Sequence, residues 1–74
     1  MTRLPTLTAR KVIRALQKAG FVVDRQSGSH VILMQPVQRL RTSVPKHSTD
    51  LNRSLMKLIL KQAHLSEDEF RQLL

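Results

Sequence analysis

Between Ala9 and Ala19 the apolar residues Ala9, Val12, Ile13, Leu16 and Ala19 recur at the spacing of one helical face, and Arg10, Arg14, Gln17 and Lys18 fill the other side. Thr8 stands where an N-cap would stand, and Gly20 follows the last periodic residue as a left-handed C-terminal residue would. The period then changes. Phe21 to Gln26 is rich in β-formers and predicts a strand; Ser27-Gly28-Ser29 signals a tight turn. His30 to Gln35 is apolar in both alternating sets, Val31 and Leu33 against Ile32 and Met34, and reads as the central strand, stopped by Pro36. Arg39 to Val44 alternates, with Leu40, Thr42 and Val44 on one side and Arg39, Arg41 and Ser43 on the other, and Pro45 stops it. A second helix starts between Thr49 and Ser54, with Leu51, Leu55, Leu58, Ile59 and Gln62 on one stripe and Arg53, Lys57 and Lys61 along a polar edge. Ser66-Glu67-Asp68-Glu69 is a capping box, and Leu65 with Phe70 can close a hydrophobic staple around it, so a short third helix begins there.

The order is helix, three-strand meander, helix, short helix. Strands joined by hairpins are antiparallel, and one sheet face needs a cover. The expected fold is therefore α+β, with both main helices on one face of a three-stranded antiparallel sheet and a short C-terminal helix. This is the architecture of a double-stranded-RNA-binding domain. The 74 residues make one domain, residues 1–74. A chain of this size buries roughly 60% of the surface its unfolded form exposes. Its core is thin, it has no room for a deep cavity, and a catalytic group has to sit on an open face or at an edge. The doubly apolar central strand is either covered on both sides or shows an apolar patch on one.

Charge narrows the function classes. Lys and Arg number 13 against 5 Asp and Glu, for a net +8. Three of the acids are the consecutive Glu67, Asp68 and Glu69, whose place at a helix start gives them a capping role. Residues 1–64 hold 12 of the bases and only two acids, Asp24 and Asp50, so that body carries +10. Such a balance points to a polyanionic partner, nucleic acid first. A membrane surface fits less well, because there is no Trp to anchor an apolar face. With no Cys, disulfides and thiolate zinc are excluded. The N-terminal stretch has no apolar core of signal-peptide length, and the longest apolar run, Val31 to Met34, is too short for a membrane span. The expectation is a soluble, cytoplasmic protein.

Candidate chemistry gathers at Gly28-Ser29-His30. A glycine turn lifts the following residues to the rim of a sheet, and histidine is the usual proton-transfer group near neutral pH. RNA cleavage asks for little more: a base for the ribose 2′-OH, an acid for the leaving 5′-oxygen, and cations for the charged phosphorane. Arg25, Arg39, Arg41 and Lys46 are the candidates for phosphate contact. The competing reading of His30 is an ordinary surface residue beside a turn. His47, just past the third strand, either lies near His30 as a second catalytic group or fixes the loop into the second helix. His64, at the end of that helix, reads as structural. The three His show no zinc spacing, and Asp24 and Asp50 suggest no shared metal site, so no metal or other cofactor is expected. Phe21 and Phe70 are the only aromatics and both read as core, so a base-stacking platform is missing and RNA contact falls to Lys and Arg.

Taken together, Leu16-Gln-Lys-Ala-Gly-Phe21, Arg25-Gln-Ser-Gly-Ser-His30, Val44-Pro-Lys-His-Ser48, Leu58-Ile-Leu-Lys-Gln-Ala63 and Leu65-Ser66 with Phe70 resemble, in that order, the HicA family of toxins. The resemblance spans Thr8 to Phe70. It implies a type II toxin with a double-stranded-RNA-binding-domain fold that cleaves mRNA; the scattered carboxylates make that cleavage metal-independent. The histidine of the Gly-Ser-His segment is the catalytic one, which is His30 here, with His47 and Ser29 as possible support. It also implies a HicB-type antitoxin that covers the active face. This chain departs from the family where Arg53-Ser54 replace the usual Gly-Thr, where His64 replaces Gly, and where Val31 and Ile32 stand in place of a second-strand aromatic. Two other readings remain beside it: a non-catalytic double-stranded-RNA-binding module, and a protein-interaction module that works through its open strand face.

Overall fold

The computed structural model describes residues 4–46 and 50–74. The elements run α1 (Ala9–Lys18), β1 (Val22–Ser27), β2 (His30–Gln35), β3 (Leu40–Pro45), α2 (Arg53–Gln62) and α3 (Glu67–Gln72). The strands form one antiparallel sheet in the order β1-β2-β3. Val31 and Leu33 of β2 and Thr42 and Val44 of β3 are buried on one face, beneath α1 and α2. The expected α+β arrangement, with both main helices on one sheet face, is what the chain adopts.

Local chemistry sets the boundaries. The Thr8 side chain accepts from the Lys11 N–H at the start of α1. At its end, Gly20 has φ +97°, the Gly20 N–H donates to the Gln17 carbonyl, and the Phe21 N–H donates to the Leu16 carbonyl. That is a Schellman motif with glycine in the left-handed position. α2 closes the same way: His64 donates to the Lys61 carbonyl and Leu65 to the Leu60 carbonyl. There, however, the left-handed residue, at φ +56°, is His64. The capping box at Ser66 and Glu69 is complete in both directions. The two Ser66 hydrogen bonds, backbone and then side chain, hold the Glu69 carboxyl below its ordinary pKa.

Four strand boundaries differ from the sequence reading; β1, for one, runs on through Ser27, which pairs with His30. β1 begins at Val22, because Phe21 belongs to the helix cap and is buried in the core. β3 begins at Leu40, because Arg39 has φ +57° and closes the turn. β3 also runs through Pro45, which an edge strand tolerates because its missing N–H is not needed there. α2 is rotated from its expected stripe: Met56, Ile59, Leu60 and Ala63 are buried, while Leu58 is 49% exposed. The helix is apolar on several sides, so periodicity alone does not choose the face. Tertiary contacts choose it. The Thr42 hydroxyl, on the one buried polar residue of the described core, donates to Gln62 Oε1 at 2.9 Å. Leu51 and Met56, both buried, flank the Asn52 N-cap in staple positions.

The N-terminal segment straps the opening of α2. The Leu51 N–H donates to the Leu7 carbonyl, and the Arg53 guanidinium donates to the Leu4 carbonyl at 3.0 Å. Leu4 is buried with the core beside Phe70, Leu16 and Leu33. The helix side of the sheet thereby buries Val31, Leu33, Thr42 and Val44, and the other side carries no helix.

Candidate active site

The helix-free face is assembled by register. Ser27 pairs with His30, and His30 pairs with Pro45 across the other side of β2. Alternation along β2 places His30, Ile32 and Met34 on the outer face and Val31 and Leu33 on the inner one. His30 is exposed, and Ile32 and Met34 are half-buried. The expected apolar patch on the central strand is therefore present on one face only, flanked by Val22, which is 48% exposed.

β1 does not run straight against β2. Val23 pairs with Leu33 and Arg25 with Ile32, so Asp24 is an extra residue in a β-bulge. The extra residue decides the electrostatics. In a regular ladder Asp24 would oppose Ile32, and Arg25 would turn toward the helices. The bulge instead sets Arg25 opposite Ile32, on the same face as His30 and two residues from it along β2. Asp24 ion-pairs with Arg41 at 3.8 Å. Both partners are partly solvated, so the pair contributes only about 0–1 kcal/mol. It nevertheless occupies Arg41 with a carboxylate.

The turn that presents His30 has two central residues, Gly28 and Ser29. Gly28 has φ +58°, and Ser29 is not among the positive-φ residues. A positive φ at the first position alone is the type II′ pattern, which needs glycine there. The Gln26 side chain donates to the Gly28 carbonyl at 3.3 Å, and the Lys46 N–H donates to the Ser29 carbonyl. The turn is thus tied to β1 on one side and to the end of β3 on the other. Among the described residues no hydrogen-bond or ion-pair partner engages the His30 imidazole, so it is available to an incoming group.

Of the cations singled out from sequence, Arg25 and Lys46 lie at the His30 end of the sheet. Arg41 opposes Met34, four residues along β2 from His30, or roughly 13 Å at about 3.3 Å per residue. Arg39 lies farther still, in the β2–β3 turn. Ser29 is exposed beside His30. His47 lies outside the described residues. Among the described residues no group of three or more His, Asp or Glu could hold a metal ion, and no helix is long and apolar enough to cross a membrane.

The sequence reading passed over Arg10, Arg14 and Gln26. They line a cleft between α1 and the β1–β2 hairpin together with Ile13, Gln17, Val23, Val31 and Lys46. The available signal was the pair of arginines four residues apart on the polar side of α1. What the chain did not disclose is that this exposed side faces the β1–β2 hairpin across an open cleft.

A sequence model of the family described as the HicA toxin of bacterial toxin–antitoxin matches residues 9–65. That span includes α1, the whole sheet with His30, and α2. Comparison with curated proteins gave no match.

Proposed function

The chain belongs to the HicA toxin family, a family of bacterial toxin–antitoxin systems, and from that premise we propose that it is a metal-independent endoribonuclease acting on mRNA through His30. The observation that carries this reading is the exposed His30 at the head of β2, on the helix-free face, with Arg25 on the same face. An imidazole nitrogen of His30 takes the proton of a ribose 2′-OH. The freed oxygen attacks the adjacent phosphorus, and the bond from phosphorus to the 5′-oxygen breaks. A proton from a second acid or from solvent passes to that leaving oxygen. The products are a 2′,3′-cyclic phosphate and a 5′-hydroxyl. Arg25 supplies positive charge where the phosphorane forms. Arg41 and Arg39 are too far along the sheet for that step, and they serve the flanking strand. Lys46 holds the turn through its backbone and brings charge to the same end. Ser29 and His47 are supporting candidates, with His47 the one protein group proposed as the second acid.

The same face suits the partner that would silence it. Val22, Ile32 and Met34 form an apolar stripe between cations, which fits a HicB-type antitoxin presenting apolar and acidic groups. RNA and antitoxin then exclude one another, and their association slows as salt rises. The test is cleavage of a defined RNA by the purified protein in excess EDTA, with end analysis. Cleavage leaving cyclic or 3′-phosphate ends supports the mechanism. Activity that returns only with magnesium, or 3′-hydroxyl ends, overturns it. Simultaneous binding of RNA and antitoxin without mutual weakening overturns the shared face.

A further inference from the structure

The open sheet face accounts for the scissile phosphate but leaves a group of cations without acidic neighbours on the helix side of β1. The open cleft between α1 and the β1–β2 hairpin has a volume of about 540 Å³. Ile13, Val23 and Val31 give it an apolar floor; Arg10, Arg14 and Lys46 give it three cations; Gln17 and Gln26 add amide groups. No acid lines it. Among the described residues the Arg10, Arg14 and Lys46 side chains have no ion-pair or hydrogen-bond partner, whereas Arg41 on the sheet face is already paired with Asp24.

The cleft and His30 are neighbours through the backbone. Val31 lines the cleft from the inner face of β2, and His30, the residue before it, stands on the outer face. Lys46 lines the cleft while its N–H holds the Ser29 carbonyl. Gln26 lines it while its amide holds the Gly28 carbonyl. A polyanionic strand lying across His30 at the end of the sheet therefore has a basic channel waiting where it passes over the Gly28-Ser29 turn.

We propose that this cleft binds the phosphodiester backbone of single-stranded RNA on one side of the cut, with Arg10 and Arg14 as the phosphate contacts. This rests on the ribonuclease reading and adds to it a second, sequence-independent anchor. Charge favours RNA over an apolar peptide as the occupant, because three unpaired cations would be costly to bury without anions.

The test uses His30→Ala protein, so that binding is read without cleavage, and a fluorescently labelled single-stranded RNA of mixed sequence across a salt series. Arg10→Gln with Arg14→Gln is compared with Lys57→Gln plus Lys61→Gln, which removes the same charge from α2. The cleft variant is expected to weaken binding on the order of tenfold and to flatten the salt dependence by about 1.4, or about 0.7 per lost phosphate contact. The α2 variant is expected to do much less. Equal weakening by the two variants would mean that only net charge matters, and would overturn the cleft. So would unchanged RNA binding with lost antitoxin binding, which makes the cleft a protein site. Wild-type cleavage, measured separately, tells the two ideas apart. If the protein cleaves RNA and the cleft variant binds it normally, only the cleft falls. If the protein neither cleaves nor binds RNA, both fall.

Discussion

The two hairpin turns of this sheet are built on one plan and put to different use. Each follows a glutamine that steadies it: Gln26 donates to the Gly28 carbonyl, and Gln35 Oε1 accepts from the Val37 and Gln38 N–H groups at 2.7 and 3.3 Å. Each contains one left-handed residue, at nearly the same angle, Gly28 at φ +58° and Arg39 at φ +57°. The first turn is tied to Lys46 across the sheet end and presents His30. The second is longer and ends in a cation, Arg39, at the far end of the sheet from His30. Charge is present at both ends of the sheet, so charge alone does not locate a site. The register does, by deciding which cation shares a face and an end with a group that can move a proton.

The largest expected effect breaks the comparison at the first turn. His30→Ala should lower the cleavage rate on the order of 10²–10⁴-fold, the usual worth of a general acid–base group. It should shift stability by about 0.5 kcal/mol or less, because the side chain is exposed. Rate and thermal melting measured on the same preparation separate the two; a folded variant cutting at the wild-type rate would remove His30 from the mechanism. His47→Ala is the companion, and equal loss in both would indicate a two-histidine pair.

Next comes the contrast between cations. Arg25→Ala should reduce cleavage at saturating RNA by roughly tenfold or more, while Arg39→Ala should act mainly on RNA affinity at low salt. Equal effects on the saturated rate would mean that sheet register does not sort these residues.

The backbone gives a third, smaller contrast with opposite signs. Gly28→Ala should destabilise by about 1–2 kcal/mol, although no atom lies within 4 Å of the added Cβ, because the φ itself is the obstacle. Arg39→Gly should stabilise by up to about 1 kcal/mol for the same reason, as should His64→Gly at the end of α2. Chemical denaturation of the three variants reads all the signs.

The smallest effect lies away from both turns and serves as their reference. The Glu69 pKa is lowered in the folded state by its Ser66 hydrogen bonds. Its contribution is therefore complete above the unfolded-chain value, about 4.3 for Glu, and is lost as pH falls through the lower folded-state value. Glu69→Gln should flatten that part of the acid limb of a melting-temperature profile while leaving the neutral region nearly unchanged. A steeper acid limb in the variant would contradict the capping assignment.

Much of this was legible in the chain because it rests on local chemistry. Thr8, Gly20 and the Ser66–Glu69 box mark helix ends through hydrogen bonds made within a few residues. Gly28 marks a turn because few other residues tolerate its φ. What was not legible rests on partners distant in sequence. The face of α2 was decided by Thr42 and by the strap from Leu4 and Leu7, so Leu58 lies outside where its spacing suggested a core position. The six residues of β1 are all exposed, whereas β3, the other edge strand, buries Thr42 and Val44; the difference is where α1 and α2 pack, which the strands' own residues do not disclose. The candidate site divides the same way. The turn and the exposed place of His30 beside it could be read from Gly28-Ser29-His30, and the choice of His30 from the ordered set of family-like segments. The sorting of Arg25 from Arg41 required the bulge, and Arg10 and Arg14 required knowing what lies beside α1.

That bulge also governs which changes in length this gene could survive. Removing the codon for Asp24 would leave Val23 opposite Leu33 and Arg25 opposite Ile32, a regular ladder with every later residue still facing as it does now. Removing the codon for Arg25 would give a ladder just as regular, with Asp24 opposite Ile32, and would put a carboxylate where the guanidinium now stands. Two deletions, adjacent in the message and equal in their cost to pairing, would thus leave one protein with a cation on the His30 face of β1 and another with an anion in its place.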